Sequence, residues 1–175
     1  MGSYPVVAAG TRITSSLLND LSPTFVFKTS NQQVASSIVP VNDTELVFPV
    51  VSGAQYEIEF YLRWSGLQAA GIRTMWSVPT GTSGNRDVGG PGSANAIQGD
   101  ANTTEMRWAV HGVGTQVGMT NPRNSQGLQT WSLERAVLTI GGTSGNIQLQ
   151  WAQFASNATA SQVVAGSYAK YRRIG

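Results

Sequence analysis

The chain contains no cysteine, so it forms no disulfide and offers no thiolate to a metal, and its redox compartment stays open. It has one histidine, His111, whereas a multi-histidine zinc site needs several imidazoles. Charge is scarce as well. Asp, Glu, Lys and Arg make up 11% of the 175 residues, where about a quarter is usual. The eleven basic residues are scattered, with Arg172 and Arg173 the one adjacent pair. No basic stripe of the kind that nucleic-acid binding requires is formed. No apolar run reaches the ~18 residues of a membrane helix. The first residues, Met1-Gly-Ser-Tyr-Pro5, lack the basic and apolar regions of a secretory signal, so export by that route is not expected. No segment repeats at a fixed period, which argues against propellers and solenoids.

What is present is apolar and small-polar. Apolar residues account for 41% of the chain, enough for one domain with a sizeable core. The surface must then rely on Ser, Thr, Asn, Gln and Gly. Low charge leaves such a surface weakly protected against association, which points to a life in an assembly.

Period-two alternation dominates after Phe25. In Gln55–Trp64 the residues Tyr56, Ile58, Phe60, Leu62 and Trp64 share one face, and Gln55, Glu57, Glu59, Tyr61 and Arg63 the other. Similar alternation runs through Ile72–Val78, Met106–His111 and Ile147–Ala152. Glu45–Val50, Trp131–Ile140 and Ser167–Ile174 also read as strands. In Trp131–Ile140, Leu138 and Ile140 oppose Leu133 and Val137, so cover on both sides is expected. Gly141-Gly-Thr-Ser-Gly-Asn146 reads as a hairpin connection. Thr80–Thr104, with six glycines, reads as a long aperiodic loop, and Gly114–Gln129 as a shorter one.

These signals predict an all-β fold: a jelly-roll-like β-sandwich of about eight or nine strands over residues 25–175, burying five tryptophans between two sheets. Residues 1–24 differ. Thr14 is placed to cap two helical turns with Leu17, Leu18 and Leu21 on one face, stopped by Pro23. Such a piece must pack on something, and a docking arm built on Arg12, Ile13, Leu17, Leu18 and Leu21 is the expected role.

Chemistry is thinly represented. Glu57 and Glu59 stand about 7 Å apart on one strand face, a spacing that a glycosidase pair can have. A solvated strand face neutralised by Arg63 explains them more simply. His111 lacks a positioned nucleophile. Asp87 and Asp100 lack the regular oxygen spacing of a calcium loop. No catalytic residue, cofactor or metal is expected.

Residues 8–23, AAGTRITSSLLNDLSP, and 142–174, GTSGNIQLQWAQFASNATASQVVAGSYAKYRRI, together resemble the two ends of small structural proteins of tailed bacteriophages that infect actinobacteria. The matching positions include Gly145, Asn146, Leu149, Gln150, Trp151, Asn157, Thr159, Gly166, Ser167 and Tyr168. Residues 56–79 fit more loosely, and 80–104 depart from the pattern. The resemblance implies a virion component assembled in the host cytoplasm, either a capsid decoration protein on the major capsid protein or a minor tail protein. Only the tail role would bring a host-surface glycan as partner. It also implies a trimer, for which Tyr61, Phe154 and Tyr171, off the main core parity, are the expected subunit-interface residues. The absence of any heptad shaft or collagen repeat favours the capsid role.

Overall fold

The computed structural model describes residues 8–15, 18, 22–93 and 104–175. Among them are twelve strands in two antiparallel sheets: β1 (Thr24–Phe27), β2 (Gln32–Val34), β3 (Val41–Val50), β4 (Gln55–Gly66), β5 (Ile72–Ser77), β6 (Asn85–Ser93), β7 (Thr104–Gly112), β8 (Val117–Met119), β9 (Ser125–Thr139), β10 (Gly145–Ala152), β11 (Ser161–Val163) and β12 (Tyr168–Arg173). The larger sheet runs β1-β12-β4-β9-β6-β7, with the short β11 and β2 appended beside β4. The smaller runs β3-β10-β5-β8. Setting aside the β6–β7 hairpin and the β2/β11 pair leaves eight strands. Renumbered along the chain they run 1-8-3-6 in one sheet and 2-7-4-5 in the other, the order of a jelly roll.

That topology explains two turns. GGTSGN connects β9 to β10, which lie in opposite sheets. It is a crossover between layers and not the hairpin that its composition suggests. Val51–Ala54 likewise carries the chain from β3 in one layer to β4 in the other. Both turns are glycine-bearing because the chain must reverse while changing sheets; Gly53 sits at φ 71°, a region costly for side chains.

The core lies between the sheets. Tyr56, Ile58, Phe60, Leu62 and Trp64 of β4 all point inward, as the alternation predicts. Across from them lie Phe48, Trp76, Ile147, Leu149 and Trp151. Phe60 meets Trp76 edge-on at 4.8 Å, a favoured aromatic geometry. Tyr171, expected off the core parity, in fact stacks on Phe48 at 4.2 Å and packs against the core.

Three tryptophans are buried, Trp64, Trp76 and Trp151, while Trp108 and Trp131 are 55% and 41% exposed. The expectation of five buried tryptophans is therefore corrected. The parity of β7 and β9 holds, but Trp108 and Trp131 lie on the sides of their strands that face away from the smaller sheet. Leu138 and Ile140 face the smaller sheet and are buried; Val137 faces out and is exposed.

The glycine-rich stretch is corrected too. Asn85–Ser93 pairs along its whole length with Thr104–Gly112, so the described part of the expected loop from Asn85 onward is strand, in a hairpin that widens the larger sheet. Strand-poor residues are tolerated here because neighbouring side chains occupy the space a Cβ would need. The Trp108 indole lies over Gly89, the Met119 sulfur against Gly90 and the Arg107 chain against Gly92. Val117–Met119 is likewise a strand, pairing with β5 inside the second expected loop.

Two fully buried ion pairs tie neighbouring elements together. Lys28 binds Asp43 at 3.0 Å, tying the end of β1 to β3. Arg86 of β6 donates to Glu134 of β9 and to the Thr74 and Thr115 carbonyls. Glu134 also accepts from Thr74 Oγ1 and Trp76 Nε1, both at 2.5 Å. The hairpin is thus fastened to both sheets by one satisfied carboxylate.

Candidate interaction surface

The larger sheet has an outer face that no other part of the described chain covers. Its residues follow from strand register. One row crosses six adjacent strands: Phe27 opposite Tyr168, Tyr168 opposite Tyr61, Tyr61 opposite Leu133, Leu133 opposite Gly89, and Gly89 opposite Trp108. Period-two geometry puts all six on one side. The rings touch in series. Tyr168 stacks on Tyr61 at 5.3 Å, Tyr61 on Trp131 at 6.2 Å, and Phe25 on Phe27 at 5.8 Å. Phe27, Trp108, Val110 and Val137 are each more than half exposed. Exposed rings in register on one sheet face are the kind of surface that a partner would cover.

Two residues along each strand lies a second row: Phe25, Lys170, Glu59, Arg135, Asp87 and Val110. Its four central members carry charges that alternate in sign. Arg135 Nε donates to Glu59 at 2.9 Å, Lys170 lies 3.4 Å from the same carboxylate, and Tyr168 donates its hydroxyl to it at 3.2 Å. Burial and the neighbouring Glu59 charge push the Tyr168 hydroxyl pKa above its usual value, so Tyr168 stays a neutral donor at physiological pH. Glu57, the other carboxylate of this strand face, pairs with Arg172 at 2.7 Å. Both glutamates are engaged as ion pairs on an open sheet.

A groove of about 390 Å³ opens at the opposite side of the hairpin, where β6 and β7 extend beyond the smaller sheet. Arg107, His111, Met119 and Phe154 line it. Phe154 lies against Gly118 and under the Arg73 guanidinium, 5.5 Å from the ring centre. No group of three or more metal-ligating side chains occurs among the described residues.

Of the interface residues expected from sequence, Tyr61 lies in the aromatic row, Phe154 in the groove on the other side of the sheet, and Tyr171 in the core. They do not form one surface. Sequence reasoning missed all four other rings: Phe25 and Phe27 lie on a strand that it did not read, and the alternation around Trp108 and Trp131 was visible but their outward side was not. Of the arm, Arg12, Ile13 and Leu18 are exposed, and Leu17 and Leu21 fall outside the described residues. The Leu18 amide donates to the Thr14 carbonyl at 3.1 Å and the Ser22 amide to the Leu18 carbonyl at 3.1 Å, the bonding of a helical turn. Ile13 and Leu18 are 65% and 54% exposed.

No protein-family model matches the chain, and no curated protein matches it. Among solved structures, the tripod from the baseplate of bacteriophage Tuc2009 is similar at 9% identity and a TM-score of 0.33, covering 98% of this chain and 75% of that one. A structure of infectious bursal disease virus, Gx strain, is similar at 12% identity and a TM-score of 0.20 over 87% of this chain and 37% of its own.

Proposed function

We propose that the chain is a non-enzymatic virion building block, a capsid decoration protein that associates through the outer face of its larger sheet and attaches to the major capsid protein by its N-terminal arm. The observation that carries this reading is the uncovered aromatic row from Phe27 to Trp108. A sheet face of stacked rings and paired charges lacks the concavity that a substrate needs, and it suits a flat protein partner. The phage-protein resemblance of residues 8–23 and 142–174 supplies the setting. In a particle, many modest contacts are multiplied by symmetry into stable attachment.

Side-chain oxidative footprinting tests the reading. Phe25, Phe27, Trp108 and Trp131 should oxidise several-fold more slowly in assembled particles than in chain diluted to its monomer. Equal rates in both states would show that the face stays open and would sink the proposal.

A further inference from the structure

We propose that the partner on the outer face is a second copy of the chain, laid face to face about a two-fold axis running along the strands between β4 and β9. This rests on reading that face as a contact surface, and it goes further by naming what covers it.

The order of charges carries the inference. Lys170, Glu59, Arg135 and Asp87 sit on four adjacent strands, β12, β4, β9 and β6, in mutual register. Their signs read plus, minus, plus, minus. Turned over about an axis parallel to the strands, the row meets itself in reverse order. Each positive group then faces a negative one: Lys170 over Asp87 of the second copy, Glu59 over Arg135 of the second copy, and the reciprocal pairs. Asp87 has no ion-pair partner among the described residues of its own chain. Lys170 of a second copy would provide one.

The same operation acts on the aromatic row, whose midpoint also lies between β4 and β9. Phe27 comes opposite Trp108, and Tyr61 opposite Leu133. A single axis therefore satisfies both rows, and a shift by one strand would set like charges against each other. The area is adequate. Six strands at about 4.8 Å spacing and three to four side-chain rows about 7 Å apart give about 600 Å² per copy. The total of about 1,200 Å² reaches the lower end of stable interfaces. The arrangement is two-fold, where the phage-protein resemblance implies a three-fold assembly.

Sedimentation velocity of the full chain decides between them. The wild type should sediment at twice the 18.5 kDa chain mass. Lys170→Glu and Asp87→Lys should each weaken pairing at least tenfold, because each meets its like on the second copy. An equimolar mixture of the two variants should pair again, since each altered site then faces its opposite. Circular dichroism melts establish that both variants are folded. Should either fail to fold, Trp108→Ser on the exposed edge strand supplies a charge-neutral variant, which should also weaken pairing at least tenfold. A monomeric or trimeric wild type, or a mixture no more associated than its components, would overturn the two-fold pair. A monomeric wild type whose outer face is nevertheless protected in particles would overturn the pair alone and leave the contact surface standing.

Discussion

Glu134→Gln removes the counter-charge of a guanidinium that has no access to water. The side chains of Arg86 and Glu134 are both 0% exposed, so solvent cannot replace the lost carboxylate. Gln keeps the shape and one acceptor. It also places an amide donor where Thr74 Oγ1 or Trp76 Nε1 now donates. Breaking a buried pair from one side costs about 3–5 kcal/mol. For a domain of this size that lowers Tm by roughly 6–20 °C. Replacing both partners, as in Arg86→Met with Glu134→Leu, leaves no unpaired buried charge and should cost less than the single change. Urea unfolding of the wild type, of Arg86→Met, of Glu134→Leu and of the double variant gives the coupling directly. Hydrogen exchange adds the location: protection should fall first in β6 and β7, which this pair fastens to β9 and β5. A loss below about 1 kcal/mol in Glu134→Gln would show that the Arg86–Glu134 pair is not desolvated, because breaking a buried pair costs more than that. So would a double variant less stable than either single one.

Acid should act at Glu45. Its carboxylate accepts from Ser30 Oγ, from the Thr29 and Ser30 amides and from Thr29 Oγ1, and Lys28 lies nearby. The Ser30 hydroxyl contributes most, and the pKa falls from 4.5 to about 2. A depressed folded-state pKa gives stability that is fully present above pH 4.5 and is lost as the pH falls through about 2. Glu45→Gln should therefore melt below the wild type at pH 7, and the gap should close on acidification across that window; a gap independent of pH would contradict it. Deleting residues 1–22 should leave cooperative unfolding intact, since β1 starts at Thr24 and Ile13 and Leu18 are exposed, but should abolish attachment to particles. Loss of cooperativity would place the arm within the core.

The jelly roll was legible where alternation was strict. Residues 55–64 show an unbroken apolar face, and burial of that face follows. Alternation fixes which residues share a side but not which side has a partner. Trp108 and Trp131 looked like core because large aromatics usually are, yet their sides of β7 and β9 face away from the smaller sheet. The β6–β7 hairpin was hidden for another reason. Gly89, Gly90, Pro91 and Gly92 are residues that strands avoid, and they are accommodated by Trp108, Met119 and Arg107, which are distant in sequence. The two rows of the outer face exist only once six strands are in register. Phe27 and Trp108 lie in the same row but far apart in the chain.

Quantitative mass spectrometry of purified phage particles, reporting copies of this chain relative to the major capsid protein, distinguishes a capsid decoration protein from a tail component. A decoration protein should be present in every particle at hundreds of copies, on the order set by icosahedral repetition. A few copies to a few tens would contradict the capsid assignment and place the chain in the tail. Absence from washed particles would contradict its role as a virion building block.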